Sequence, residues 1–349
     1  MIRFAWLQAR NQTAVAFGGL AVVAVVVALT GPHLAHLYDA NVATCVSHGD
    51  CSTARDAFLR NDKNLGIWLG ILVIAIPGVI GLFWGAPLVA RELETGTYRL
   101  AWTQSITRTR WLGIKLAVVG LASMAVAGLL SLLVTWWAGP IDKVNANRFS
   151  PPFFDERGVV VIGYAAFGIA LGVTLGLIIR RTVPAMATTL AVFVGVRLGA
   201  IFLLRPHLMA PLHRISALDP STMGLRSTNG GSFSFLPPSP HLPNAWIYSI
   251  HIVDTAGRSL THHVLARACP HLDQVAGRPP QGVPTKAPAG FKNVMHDCVV
   301  KVGARFHELV TYQPASHYWA FQWIEMAVFL GAAAVLSGFC FWWVRRRLS

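Results

Sequence analysis

The stretch from Arg91 to Lys115 reads RELETGTYRLAWTQSITRTRWLGIK, and the rest of the chain is organised around it. It is polar and compatible with a helix, and it lies between two long apolar runs. A segment this short cannot build a hydrophobic core of its own. Its order must therefore come from the neighbouring apolar runs and from the surface of a partner.

The composition places the chain in a membrane. Hydrophobic residues make up 54% of the 349 residues and charged residues only 13%, whereas soluble domains carry about 25% charged residues. The formal net charge is +14, but no helix-turn-helix or RNP pattern supports nucleic-acid binding. Lys and Arg instead cluster beside the ends of apolar runs, as the positive-inside rule requires.

Six apolar runs are long enough to cross a bilayer as helices. They are Thr13–Thr30, Leu65–Ala90, Leu112–Ala138, Gly158–Ile179, Val183–Leu204 and Tyr318–Val344. The first run has no strong small-residue cleavage site and is predicted to be an uncleaved span. Pro77-Gly78 and Pro87 predict a kink in the second. Glycines spaced by four or five residues in the fourth predict close helix packing, at Gly163, Gly168, Gly172 and Gly176.

The predicted fold class is an all-α polytopic membrane protein with six transmembrane helices and a small extracytoplasmic α+β insertion between the fifth and sixth. The predicted parts are a cytoplasmic interfacial helix at 1–12, five transmembrane helices at 13–204 with a cytoplasmic segment at 91–111, an extracytoplasmic domain at 205–317, the sixth helix at 318–344 and a basic cytoplasmic tail at 345–349. An undistinguished lead-in is the alternative for residues 1–12. An even number of spans, with their basic flanks, predicts that both termini are cytoplasmic.

Short-range patterns predict strands within the insertion. Asn244–Asp254, the turn Thr255-Ala256-Gly257 and Arg258–Ala266 are typical of a β-hairpin. Ala304–Tyr312 is a further candidate strand. The stretches 227–244 and 276–290 are rich in Gly, Pro and Ser and are predicted to be loops.

Four of the five cysteines fall in the predicted outer segments, where an oxidising compartment favours disulfides. Four cysteines allow three connectivities. We favour Cys45–Cys51 and Cys269–Cys298 because each pair closes a local loop, and free thiols are the alternative. Cys340 lies in the sixth span and is expected to stay reduced.

Arg197 and Glu325 are charges inside predicted spans. Arg197 lies about 12 Å of helix before Arg205, and Glu325 lies about 10 Å of helix after Tyr318, so both have similar depth. An unpaired charge in hydrocarbon is costly, so such residues face the bundle interior and pair. Two roles stay open for this predicted pair, a structural lock between two helices and a substrate- or proton-responsive group lining a path.

Motifs for catalysis are missing from the sequence. It has no G-x-x-x-x-G-K-[ST] phosphate loop and no G-x-S-x-G, H-E-x-x-H or C-x-x-C. His262-His263 and His307-Glu308 are the only metal-ligand candidates, and solvated polar side chains are the simpler interpretation, so no metal site is predicted. The sequence predicts neither an enzyme nor a cofactor held by this chain.

Two stretches resemble one family of transporters. The run Ala90–Thr97, with Arg99-Leu100, Thr107–Trp111 and Lys115, resembles the cytoplasmic signature of type-2 ABC exporter permeases. Tyr312–Trp319, with Phe321–Glu325, resembles the entry to the last span in actinobacterial members of that family. The six-span layout with a large insertion before the last span also fits, so the resemblance covers essentially the whole chain.

The resemblance implies a permease of the cell membrane that exports a small amphipathic compound such as a drug, a natural product or a lipid-like molecule. The implied partners are two copies of an ABC ATP-binding subunit, which bind ATP and Mg²⁺, a second permease chain in a homodimer, and membrane lipid. The implied contacts to the ATPase are Glu92, Glu94 and Arg99, with Tyr98 and Trp102 as apolar contacts. The alternative is that Glu92 and Glu94 only favour the positive amino end of a helix while the arginines lie at lipid headgroups. The alternative is a membrane-anchored extracytoplasmic sensor without transport, which would need neither six spans nor a polar segment between the second and third.

Overall fold

The computed structural model describes most of the chain. The described residues are 2–45, 51–97, 107–144, 148–218, 224–227, 233–236, 242, 244–261, 264, 267, 269 and 291–347. Contacts divide the chain into two compact units, one of Met1–Met209 with Ser316–Ser349 and one of Ala210–Ala315. The second unit corresponds to the insertion expected between the fifth and sixth spans.

The first unit is helical. Its helices are α1 (Ile2–Tyr38), α2 (Ser52–Asn61), α3 (Lys63–Ile80), α4 (Ala86–Thr95), α5 (Arg108–Trp137), α6 (Gly139–Val144), α7 (Pro151–Glu156), α8 (Val160–Ile179), α9 (Thr182–Gly199) and α11 (Tyr318–Arg347). Three π-helical turns extend α1, α3 and α9, at Asp39–Ala43, Gly81–Gly85 and Ala200–Leu204. A single 3₁₀ turn, Arg205–His207, follows the last of these.

Six helices among the described residues are long and apolar enough to cross a membrane. They are Ala14–Ala43, Lys63–Thr95, Arg108–Trp137, Val160–Ile179, Thr182–His207 and Ala315–Arg347. The predicted fold class, six membrane helices with a small α+β insertion, is therefore confirmed. The helix Val160–Ile179 is central to the unit, because 78% of its most apolar window is buried against 11% for the first span.

The first helix differs from the prediction at both ends. α1 runs without a break from Ile2 to Tyr38, so one helix replaces the separate interfacial helix expected over 1–12 and continues past the expected end at Thr30. The Gly31-Pro32 pair does not stop it. A methyl group at Gly31 would lie 2.7 Å from the ring of Trp136 in α5, so packing between the two helices overrides the local breaking signal.

The kink predicted in the second span appears as a π-helical turn. Pro77 lies inside α3 and removes one backbone hydrogen bond, and the turn Gly81–Gly85 follows it. The glycines of α8 meet this irregular stretch. A methyl group at Gly168 would lie 2.6 Å from the carbonyl oxygen of Pro77, and one at Gly81 would lie 2.7 Å from the carbonyl oxygen of Gly168. The two backbones therefore touch directly, which only small residues permit.

The second unit holds a sheet and a helix. β1 (Leu212–Ala217), β5 (Phe306–Gln313) and β4 (Trp246–Asp254) form an antiparallel sheet in that order, and β2 (Gly224–Ser227) pairs with β3 (Phe233–Leu236). The helix α10 (Phe291–Gly303) precedes β5. β5 lies where the strand at 304–312 was predicted, and its centre, Val310, is fully buried.

The predicted hairpin is only partly present. Its turn forms, because Asp254 Oδ1 accepts hydrogen bonds at 2.9 Å from the backbone N–H groups of Ala256 and Arg258, and Gly257 takes the required positive φ of 78°. The strand predicted over Arg258–Ala266 is wrong in the residues that the structure describes, where a single bridge joins Val253 to Ser259. β4 pairs with β5 instead, about fifty residues further along the chain.

Candidate functional site

A cluster of four buried charges lies at one end of the helical unit. Four elements bring it together. The helices α7, α8 and α11 contribute one side chain each, and the segment from α9 to the 3₁₀ turn contributes two. The members are Asp155, Tyr164, Arg197, Arg205 and Glu325, with exposed fractions of 3%, 1%, 7%, 1% and 0%. Two carboxylates and two guanidinium groups balance in charge, which a buried site requires.

Glu325 is the acceptor at the centre of this charge cluster. Arg205 donates to it twice, from Nε at 2.9 Å and from a terminal nitrogen at 3.0 Å. The Tyr164 hydroxyl donates to the same carboxylate at 2.6 Å. Arg197 approaches it at 3.7 Å, an ion-pair distance without a hydrogen bond. The predicted pair of Arg197 and Glu325 is thus brought together, but Arg205 makes the closer contacts.

Asp155 is the second acid of the cluster and joins both arginines. It forms ion pairs with Arg205 and, at 3.3 Å, with Arg197. The guanidinium carbon of Arg197 lies 3.4 Å from the ring centroid of Tyr164, a cation–π geometry that satisfies its other face. Bidentate and stacked contacts of this kind need arginine rather than lysine.

Gln322 fixes the backbone next to the cluster. Its carbonyl oxygen accepts from the Val160 N–H at 3.0 Å, and its amide donates to the Phe154 carbonyl at 3.0 Å. Gly158 has a φ of 78°, and a methyl group there would lie 2.7 Å from the Gln322 oxygen. The connection between α7 and α8 is therefore held by α11, one turn before Glu325.

A second polar site lies at the start of the 91–111 segment. Glu92 forms an ion pair with Lys115 of α5, whose ammonium group also donates to the Leu88 carbonyl at 3.3 Å. Glu94 accepts from Thr182 at the first residue of α9, from the backbone N–H at 2.9 Å and from the hydroxyl at 2.6 Å. The two acidic residues thus attach the end of α4 to the beginnings of two other helices.

The ends of the segment have ordinary helix caps. Gly96, with φ 74°, ends α4 in the left-handed conformation that glycine favours. The Thr107 side chain accepts from the Arg110 N–H and begins α5. The predicted contact residues Tyr98, Arg99 and Trp102 lie outside the described residues.

The comparison with known families decides what kind of protein carries these two sites. The model of the ABC-2 membrane transporter related family matches residues 17–205. This is more than half of the chain and includes the first five spans. The chain belongs to this family. No curated protein and no solved structure matches the chain.

Membership of the ABC-2 family decides between the two function classes left open by the sequence. The chain is a multi-pass membrane protein and a permease component of an ABC transporter, a kind of subunit that works with a separate ATP-binding subunit. The match begins in α1 and ends at Arg205, so it contains both acidic residues of the 91–111 segment and every member of the charge cluster except Glu325.

The cysteines are joined as the loop lengths suggested. Cys45 is bonded to Cys51 with a Cα–Cα distance of 5.8 Å, and Cys269 to Cys298 with one of 5.4 Å. Cys340 has no disulfide; its sulfur lies 3.2 Å from the Thr174 hydroxyl. Among the described residues no group of three His, Cys, Asp or Glu side chains is placed to hold a metal ion.

Three members of the charge cluster, Asp155, Tyr164 and Arg205, were not predicted from the sequence. Arg205 directly follows the predicted fifth span, and Asp155 lies just before the predicted fourth span. The available signal was an acid and an arginine adjoining the fourth and fifth predicted spans, in which Arg197 is the only charged residue. Lys115 and Thr182, the partners of Glu92 and Glu94, were likewise not identified as such, because contacts between distant helices leave no spacing pattern.

Proposed function

We propose that this chain is the membrane-spanning subunit of an ATP-driven exporter in the cell membrane, which moves a small amphipathic compound, such as a drug or natural product, out of the cell. Two permease chains would form a homodimer within membrane lipid. Two copies of a separate subunit would bind ATP and Mg²⁺, and this chain would take no part in the hydrolysis.

The observation that carries this proposal is the attachment of the 91–111 segment. Glu92 holds α5 through Lys115, and Glu94 holds α9 through Thr182. A force applied to the segment by a partner would therefore reach two membrane helices at once. The basic flanks support a cytoplasmic position for the segment and for both termini.

Two groups of residues have different proposed roles. Tyr98, Arg99 and Trp102 would form the surface that the ATPase contacts. Glu92 and Glu94 would position the segment on the membrane helices rather than face the ATPase. Glu92 is only 18% exposed, and its carboxylate forms an ion pair with Lys115.

Two double variants distinguish the residues that contact the ATPase from those that transmit its movement to the membrane helices. Tyr98→Ala with Trp102→Ala is expected to lose co-purification of the ATPase, because an exposed ion pair alone contributes little and apolar contacts must supply the interface. Glu92→Gln with Glu94→Gln is expected to keep the ATPase bound but to separate ATP hydrolysis from transport in reconstituted membranes.

Trp342→Ala is the matched control for the aromatic changes. Trp342 is 45% exposed and lies near the basic carboxyl-terminal end of the sixth span. It is expected to leave association and transport unchanged. If the changes at Tyr98 and Trp102 leave association intact, the segment is not the contact surface. If the changes at Glu92 and Glu94 leave hydrolysis and transport linked, it is not the transmitting element.

A further inference from the structure

The helical unit contains a cavity that the charge cluster does not use. Its volume is about 710 Å³, and residues from α1, α2, α3, α5, α6 and α7 line it. Cavities of roughly 300–1,000 Å³ suit drug-sized ligands. Gly66 and Gly70 of α3 leave room on one wall, where a methyl group at Gly70 would collide with the Glu156 carboxylate.

The walls of the cavity are apolar and aromatic. The principal apolar contributors are Leu34, Phe58, Ile74, Trp137 and Phe153. Aromatic faces attract cations, more strongly where water is excluded. The ring of Phe153 already carries the Arg157 guanidinium, whose carbon lies 5.1 Å from the ring centroid. The walls therefore suit an apolar ligand, and Phe58 and Trp137 supply the aromatic surface for a positive charge on it.

The buried charges of the cavity are not balanced. Glu156 and Arg157 line it and are 6% exposed each, and Arg157 also pairs with Asp142, which is 7% exposed. Two acids thus share one base. Burial raises the pKa of Glu156 to about 7, with a smaller effect from the charge of Asp155. Removal from water disfavours the charged form of a carboxyl group, which accounts for this direction.

The remaining charges belong to the mouth of the cavity. Asp56, Arg60 and Lys63 are exposed and Asp62 is half-buried, so two acids stand beside two bases. They cancel in number, and water screens them. The unmatched negative charge therefore lies at the buried end, on the group formed by Glu156, Arg157 and Asp142.

We propose that this cavity binds an apolar organic cation, with the aromatic walls around its body and the Glu156 carboxylate as its counter-charge. The inference names the substrate class of the proposed exporter and, as a statement about cargo, rests on that proposed function. Binding itself needs no ATPase and can be measured on the permease alone.

The experiment uses two probes of the same shape and opposite charge. Tetraphenylphosphonium and tetraphenylborate are titrated onto the purified permease in lipid nanodiscs, and binding to empty nanodiscs is subtracted. The permease is expected to bind the cation at least tenfold more tightly than the anion, because a single charge at about 5 Å in a partly buried site is worth more than the tenfold step of 1.4 kcal/mol. Equal binding, a preference for the anion, or no binding of either probe would overturn the proposal.

Glu156→Gln tests the counter-charge. It keeps the shape of the side chain and is expected to weaken tetraphenylphosphonium binding by roughly tenfold to a hundredfold. Asp56→Asn removes the same charge from the exposed mouth and is expected to change binding less than threefold, because the charge is solvated. If both variants behave like the unmodified protein, Glu156 is not the counter-charge.

Ile71→Trp tests the place of binding without touching the charges. Ile71 lines the cavity and is 50% exposed, so a larger side chain fills the cavity and is expected to abolish binding of the cation. Val79→Trp on the same helix is the control, since Val79 is 42% exposed but does not line the cavity. Equal binding in both variants would place the ligand elsewhere. Cation binding without ATPase association would refute the proposed function and keep this site; the reverse result would refute the site alone.

Discussion

Replacement of Arg205 and Glu325, singly and together, tests how the buried charge cluster is organised. Arg205→Met and Glu325→Gln each leave an uncompensated charge, because both side chains are at most 1% exposed. Breaking a buried pair by removing one partner costs about 3–5 kcal/mol in the free energy of unfolding. The double variant strands neither charge of the pair, so we expect it to cost about 2–3 kcal/mol less than the sum of the two single changes.

The pair of Arg197 and Glu325 provides the internal comparison. Their closest atoms are 3.7 Å apart without a hydrogen bond, whereas Arg205 donates to Glu325 at 2.9 Å and 3.0 Å. Arg197 retains Asp155 and the Tyr164 ring when Glu325 is neutralised. We therefore expect a coupling energy of about 1 kcal/mol or less between Arg197 and Glu325.

The assay is reversible unfolding of the purified permease in mixed micelles, followed by tryptophan fluorescence, for the unmodified protein and the variants of both cycles. Equal m-values across the set are needed for the free energies to be compared. The reasoning is refuted if the Arg197 and Glu325 coupling equals or exceeds that of Arg205 and Glu325, or if both cycles are additive.

Three further predictions concern topology, packing and pH. A cysteine introduced at Ser227 is expected to react with a membrane-impermeant maleimide from outside intact cells; labelling from the cytoplasmic side alone would reverse the assigned orientation. Gly168→Ala is expected to lower the free energy of unfolding by about 1–3 kcal/mol, because its methyl group meets the Pro77 carbonyl. Gly338→Ala in the sixth span is the control and should leave this free energy unchanged, because the space around Gly338 is open. Equal effects would show that the close backbone approach at Gly168 is absent. The folded-state pKa of Glu156 is raised to about 7 from its usual 4.5. Its contribution to the free energy of unfolding, up to about 3 kcal/mol, is therefore fully present below pH 4.5 and is lost as the pH rises through 7. Glu156→Gln should flatten this pH dependence of the free energy of unfolding, and an unchanged dependence would assign it to another group.

The membrane helices could be predicted because hydrophobicity and length are local properties of the sequence. The ends of the helices were harder to predict from the sequence. α1 continues through Gly31-Pro32 because Trp136 of α5 packs on it, and no local pattern carries that information. The hairpin shows the same limit: the turn at Asp254 follows from nearby residues, but the partner of β4 is β5, whose identity depends on distant contacts.

The candidate sites were predictable only where an unpaired charge in the membrane would carry a high free-energy cost. Arg197 and Glu325 could be placed together because a charge in hydrocarbon must find a partner at its own depth. Arg205 and Asp155 lie at span ends, where a charge carries no such cost in the sequence, so their burial appears only in the fold. The cavity beside Glu156 is formed by six helices and has no signature in any one of them.

Two helices connect the sites described above, and an acidic residue of the 91–111 segment contacts each of them toward its amino-terminal end. α9 starts at Thr182, which Glu94 holds, and its span reaches Arg205 of the charge cluster after about 35 Å of helix. α5 is held near its start by Glu92 and ends at Trp137, which lines the cavity. Packed helices shift as rigid elements and carry displacement over such distances. The acids of α7 complete the connection, because Asp155 belongs to the cluster and its neighbour Glu156 to the cavity. We therefore expect a displacement along either helix to change the surroundings of both sites.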